Sequence, residues 1–305
     1  MRPGSPMKTK LKSSISGACC LFCGAFMLIF NSAPAQNLFV ADFNNGTIEK
    51  FTPGGGESLF ASGGLDGPMG LAFDNAGNLY VGNWYNNTIV RYDANGHYSL
   101  FATAGLSNPR GLACDASGNL YVANYNGNDV IEFSPNGQSR VFASGINQPT
   151  GLAFDAHGNL YVADLSNEIL KFNSSGQRTV FVSQNGSGPE GLAFDPAGNL
   201  YVADYWDNGI YKFDSTGHGG FFASTGSGYN NPFGLAYANG NLYATCNVNQ
   251  LEVFSATGNA GFFASTLNGP WFIAVQPVPE PSVLALLAAS TIAFYDCRNK
   301  KRLGE

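Results

Sequence analysis

Between residues 36 and 277, apolar residues return at every second position in short runs, the period of a pleated strand. The clearest stretch is Gly191 to Asp204, GLAFDPAGNLYVAD. Leu192 and Phe194 alternate with Ala193, and Leu200 and Val202 alternate with Tyr201 and Ala203, which predicts two strands and a tight turn. In the turn, Asp195 is placed to accept hydrogen bonds from free N–H groups, and Gly198 to supply a positive φ. The phrase recurs from Gly70, Gly111, Gly151 and Gly234, at offsets of 111 − 70 = 41, 151 − 111 = 40, 191 − 151 = 40 and 234 − 191 = 43. Each unit carries four strands, predicted in the second unit at 71–73, 79–82, 88–92 and 98–102. No segment of the body has a helical period. A repeat near 40 residues with four strands per unit predicts an all-β propeller of four-stranded blades.

The two ends of the repeat predict how the ring closes. Asn37 to Asp42 match the second strand of the phrase and lack the first, whereas Pro270 to Val275 form a first strand with nothing after it. Each supplies what the other lacks. The expectation is a six-bladed β-propeller spanning 36–277, closed by a composite blade from the N- and C-terminal strands, which protects the strand edges.

The flanks differ from the body. Residues 1–35 read as a secretory signal: Lys8, Lys10 and Lys12 precede an apolar stretch from Ala18 to Phe30, and Ala33-Pro34-Ala35 offers a small-x-small cleavage site. An N-terminal membrane anchor is the alternative. Of the six cysteines only Cys114 and Cys246 fall in the body, in blades on opposite sides of the ring and too far apart to bridge. Cys114 takes the place of a core Phe and reads as a small buried hydrophobe. Eight of the fifteen basic residues lie in the first 12 residues or in 298–302, so residues 36–277 carry 7 − 18 = −11 charges. A nucleic-acid surface needs clustered Lys and Arg, so that class of partner is excluded.

The phrase Pro-x-Gly-Leu-Ala-Phe-Asp-x-x-Gly-Asn-Leu-Tyr-Val-Ala-Asp resembles the NHL repeat and the related SMP-30/gluconolactonase-like six-bladed propellers over residues 37–277. That scaffold carries lactone hydrolases, lyases, sensors and binding modules alike. The resemblance implies, for the hydrolases, a divalent metal held by acidic or amide side chains at the x of Pro-x-Gly. Here those positions hold Met69, Arg110, Thr150, Glu190, Phe233 and Trp271, and one carboxylate does not make a hard-cation site. His97, His157 and His218 fall in turns on the opposite face, and no G-x-S-x-G elbow is present. Gly186 to Gly191 spells G-x-G-x-x-G but opens a strand where a dinucleotide needs a helix. Asp204 to Gly209 places Trp206 where a calcium loop needs oxygen, and the repeated Asp42, Asn83, Asn124, Asp164 and Asp204 read as caps of the turn after the strand.

The tail resembles a PEP-CTERM sorting signal: Pro279-Glu280-Pro281, an apolar run from Val283 to Tyr295, then Arg298, Lys300, Lys301 and Arg302. Asp296 and Cys297 interrupt that pattern. The resemblance implies an exosortase-type processing enzyme as partner, transient membrane association through residues 278–305, and display on a bacterial cell envelope or extracellular surface. An ordinary C-terminal anchor is the alternative.

One face gathers the loops that enter each first strand and the loops between second and third strands. It defines a candidate ligand mouth of Arg110, Glu190, Phe233 and Trp271, rimmed by Trp84, Tyr125, Tyr205 and Trp206; Phe43 and Tyr85 share that face. Aromatic rings around a few polar groups suit a small or sugar-like ligand such as an envelope glycan, and equally suit rings that cover the blade tops. Arg110 and Glu190, two blades apart, are read as ligand-binding groups, so that Glu190→Gln should weaken ligand affinity; a pair across the mouth is the alternative for both. As an exposed pair, worth about 0–1 kcal/mol, they would leave the melting temperature almost unmoved on Glu190→Gln. The reading is a monomeric binding module with no catalysis, metal or cofactor. A lactonase-like hydrolase with a degenerate site is the alternative.

Overall fold

The structure is a computed structural model that describes residues 35–183, 186–226 and 230–277. Residues 1–34 and 278–305, which hold most of the stretch read as a leader and all of the stretch read as a sorting signal, lie outside them. The described chain forms six four-stranded antiparallel sheets, each ordered from the innermost strand outward. Blades 2 to 6 span 68–102, 109–144, 152–183, 189–224 and 232–264. Blade 1 is the composite: the strand Pro270–Val275 pairs with Leu38–Asp42, with Val275 opposite Leu38 and Pro270 opposite Asp42, followed by Thr47–Phe51 and Glu57–Ala61. The expected architecture and closure are therefore present. In blade 2 the first strand starts earlier than its alternation suggested, at Pro68, because Pro68 still pairs with Asn83 across a bulge. The one helical element among the described residues is a three-residue 3-10 turn, Tyr125–Gly127.

The phrase folds as its turn chemistry dictates. Asp195 Oδ1 accepts from the amides of Ala197 and Asn199, its Oδ2 accepts from the Asn199 side chain at 2.8 Å, and Gly198 sits at φ 84°. The same three bonds recur at Asp74, Asp115 and Asp155. Cross-blade packing follows from a second device, a β-bulge in every fourth strand. The bulged residue is a Phe in all six blades (Phe60, Phe101, Phe142, Phe181, Phe222, Phe263), and it meets the second-strand ring of its own blade edge-on, at centroid distances of 4.8–5.1 Å. Such pairs add about 0.5–1.5 kcal/mol each beyond the area they bury. The next blade closes the sandwich from the other side with Phe73, Phe154 and Phe194, at 4.9–5.0 Å. Cys114 stands where the third blade would offer such a Phe, packs against the cluster holding Tyr80 and Phe101, and is a free thiol raised by burial.

The innermost strands approach each other backbone to backbone. A Cβ at Gly70, Gly111, Gly151, Gly191 or Gly234 would overlap the carbonyl oxygen of Arg110, Thr150, Glu190, Phe233 or Trp271 respectively, in the next blade round the ring. Glycine after x is thus a condition of closure: it lets the neighbouring x carbonyl come close, which sets all the x side chains at one level around the axis. Both ends of the described chain leave on the face opposite the mouth. The Gln276 amide donates to the Asn37 carbonyl at 3.0 Å, and the Asn37 side chain donates to Gln276 Oε1 at 2.9 Å.

Candidate functional site

Proline opens the inner strand at the mouth in five blades and precedes it by three residues in blade 4. The residue after it projects from a backbone already fixed by its neighbour. The second strand secures this entry loop. Asp42, Asn83, Asp164 and Asp204 each accept a hydrogen bond from a backbone N–H of the loop entering their own blade, at Asn268, Asp66, Asn147 and Ser187, and Asn124 does the same for Ser107. The expected capping of the following turn holds at Asp42, Asp164 and Asp204, which accept from the amides of Asn45, Ser166 and Asp207. It is corrected at Asn83 and Asn124, whose side-chain amides donate instead to Thr88 and Asp129. In the sixth blade the position is Cys246, and the entry loop keeps the backbone bond that the other blades also make, from the Asn247 amide to the Asn231 carbonyl.

Four of the six x side chains meet. Arg110 Nη2 donates to Glu190 Oε1 at 2.8 Å, across two blades, with both side chains only 7% exposed. The expectation of an exposed ion pair is corrected here: the pair is buried, and two rings, one from a loop and one from a strand, lie against its guanidinium. The Arg110 guanidinium carbon lies 4.9 Å from the centroid of Tyr125 on one side and 4.9 Å from Trp271 on the other. Trp271 packs on Phe233 at 4.0 Å, Phe233 on Tyr205 at 5.0 Å, and Tyr205 on Trp206 at 4.7 Å. On the other flank Trp84 packs on Tyr125 at 5.5 Å, and Phe43 joins Trp271 to Tyr85. All eight candidate residues therefore belong to one contact network with the buried pair at its centre. The remaining x residues face inward: Met69 is buried, and the Thr150 hydroxyl donates to the Pro189 carbonyl at 2.8 Å. Sequence reasoning missed Thr245, whose hydroxyl accepts from the Gly234 amide and donates to the Trp271 carbonyl, fixing the strand that carries the central tryptophan.

The donor set does not fit a divalent cation. The single x carboxylate is engaged by a guanidinium, which also repels a second positive charge, and the Thr150 oxygen is spent on backbone. Among the described residues no three His, Cys, Asp or Glu are grouped to hold a metal.

Burial pushes the Glu190 carboxyl up to about 7, with Arg110 opposing the shift and Asp204 adding to it. Burial also raises Asp42, Asp204 and Glu252 above the usual carboxylate range. Each such group keeps a proton in the native state that the unfolded chain has already released. Between the ordinary carboxylate value and about 7 the native state therefore binds more protons, and stability falls as pH rises through that window. The lowered carboxyls, Asp155 and Asp195, act the other way only in more acidic solution. Urea midpoints should be higher at mildly acidic than at neutral pH, and Glu190→Gln should flatten the slope. Midpoints that climb steadily up to neutral pH would contradict this.

The comparisons with known proteins concern this same ring. A family profile described as "Strictosidine synthase-like, N-terminal" matches residues 178–205, the outer strand of blade 4 and the first half of blade 5. No curated protein sequence matches the chain. Among solved structures, a chain of the nidogen/laminin complex superposes with a TM-score of 0.71 at 21% identity, covering 80% of this chain and 99% of that one. Virginiamycin B lyase from Staphylococcus aureus gives 0.61 at 16% identity, over 76% of this chain and 81% of the other. A putative gluconolactonase gives 0.59 at 16%, over 67% and 80%. These likenesses establish the fold. A six-bladed propeller of this type serves in a protein complex, a lyase and a gluconolactonase-like protein, so the side chains at the mouth must decide between binding and chemistry.

Proposed function

We propose that this protein is an exported, surface-displayed propeller that binds a ligand or partner at its aromatic mouth and performs no catalysis. One observation carries the reading: the only carboxylate among the x residues, Glu190, is buried and bonded to Arg110, whose guanidinium lies against two aromatic rings. A lactone hydrolase needs an open, oxygen-rich mouth with a free base or a metal, and these residues supply neither. What the mouth does present is ring surface, with Trp206 67% and Tyr85 63% exposed above the buried pair. The leader-like and sorting-signal-like ends of the sequence support export and display.

The test pairs a turnover assay with a binding assay. Purified protein supplied with calcium, zinc or magnesium should hydrolyse no lactone above the buffer rate. Ligands found on an array of glycans and peptides should quench tryptophan fluorescence, and Trp206→Ala should weaken them. Metal-stimulated lactone hydrolysis abolished by Glu190→Gln would overturn the reading in favour of the enzyme.

A further inference from the structure

The charges of the ring are sorted by face. In the body's sequence, the mouth-side loops contain one basic residue, Arg110, and it is buried and paired. Of the other six, Lys50, Arg91, Arg140, Lys171 and Lys212 lie at the far ends of third and fourth strands. Arg178, rooted there too, reaches back to donate to the Gly145 carbonyl in the loop entering blade 4. The mouth side meanwhile exposes or half-exposes Asp66, Asp129, Glu168 and Asp207. A potential of one sign over a surface selects partners of the other.

Two of these carboxylates stand beside the most exposed aromatic rings of that face. The Tyr85 amide donates to the Asp66 carbonyl at 3.2 Å, which roots both side chains at one point on blade 2, and Trp206 is followed by Asp207 on blade 5. The carboxylates arrive differently: Asp66 from the entry loop, and Asp207 from the loop after the second strand, where it accepts from the Ser187 and Tyr211 hydroxyls. The two rings are seated alike. Each ring rests on the glycine just before the proline of its entry loop, Gly67 under Tyr85 and Gly188 under Trp206, where a Cβ would strike the ring. In a ring of six, blades 2 and 5 are opposite one another. An aromatic surface with a carboxylate at its side is how the molecule already holds a cation internally, where Arg110 lies between Tyr125 and Trp271 and bonds Glu190.

We infer that the mouth face docks a cationic peptide segment lying across the ring, with arginine or lysine side chains seated at Tyr85–Asp66 and at Trp206–Asp207. This deepens the reading that the mouth is the binding face and depends on it. Two seats on opposite blades favour an extended chain with several cations over a single small cation, because the second seat is filled intramolecularly once the first is occupied.

The test is fluorescence anisotropy of labelled hexa-arginine and hexa-glutamate against the purified full chain, at low and at physiological salt. Hexa-arginine should bind saturably and more weakly in salt, and hexa-glutamate should not bind. The double variant Asp66→Asn/Asp207→Asn should weaken hexa-arginine roughly tenfold, the scale of two lost exposed cation contacts. Asp93→Asn/Asp214→Asn removes the same charge from turns on the opposite face, and should change affinity by less than about twofold if binding is local. Tyr85→Ala/Trp206→Ala should also weaken binding while leaving net charge untouched. Absence of hexa-arginine binding, equal weakening by the two Asp→Asn pairs, or binding of hexa-glutamate would each overturn the proposal. A neutral glycan that quenches Trp206 where hexa-arginine does not would also overturn it, yet would leave the mouth as the binding face. Lactone turnover is the separate result that would remove the binding reading itself.

Discussion

A chain ending at Asn268 should fail to melt cooperatively. Phe272 and Ile273 are buried in the composite blade, and at ~1.5–3 kcal/mol per side chain their loss alone removes roughly 3–6 kcal/mol. Trp271 and Val275, half-buried, add to this, and the second strand Leu38–Asp42 loses its inner hydrogen-bonded neighbour. The strand also carries the ring that packs on Arg110 and Phe233, so the mouth would lose its centre. A domain's net stability is only ~5–15 kcal/mol, which leaves nothing to spare. Circular dichroism and calorimetry of the truncated chain check the point, with Ile273→Ala as the milder probe at about 2–5 kcal/mol. A truncated chain melting as sharply and as hot as the parent would show that the ring does not depend on this closure.

The second large effect is expected at the buried pair. Arg110→Met leaves the Glu190 carboxylate buried without a counter-charge, a change that costs about 3–5 kcal/mol in comparable sites. At about 2–4 °C per kcal/mol for a domain of this size, the melting temperature should fall by roughly 6–20 °C. Replacing both partners, Arg110→Met with Glu190→Met, removes the charges together and should cost far less than either single change. Thermal melts of the three variants separate the possibilities. A shift of only a degree or two for Arg110→Met would mean that water reaches the pair and that the rings do not seal it.

The architecture was legible because it is written several times over. Five copies of one phrase and two complementary half-units leave little freedom, and the turn roles of Asp195 and Gly198 follow from local chemistry alone. The position of the mouth was legible for the same reason, since x varies against a constant background. The burial of Arg110 and Glu190 was not, because it depends on Tyr125 and Trp271 arriving from loops and strands distant in sequence. The double duty of the second-strand Asp or Asn was also missed. Its second set of partners lies in the loop that enters the blade, 17 residues earlier at Asn83, Asn124, Asp164 and Asp204, and only the folded blade brings them together. The bulged Phe was hidden too: an alternating pattern predicts that Phe60 and its counterparts face one way, and the extra residue turns them the other.

The shared exit of the two chain ends has a practical meaning for how the ring can be held. Asn37 and Gln276 are stitched together on the floor of the ring, so the first and last described residues form one stalk. Whatever is joined at either end, whether a lipid-embedded segment, a neighbouring domain or an affinity handle, pulls on the same point beneath the blades. Such a load is carried by the composite blade in shear between two antiparallel strands, and the opening of the ring stays turned outward, clear of its own support.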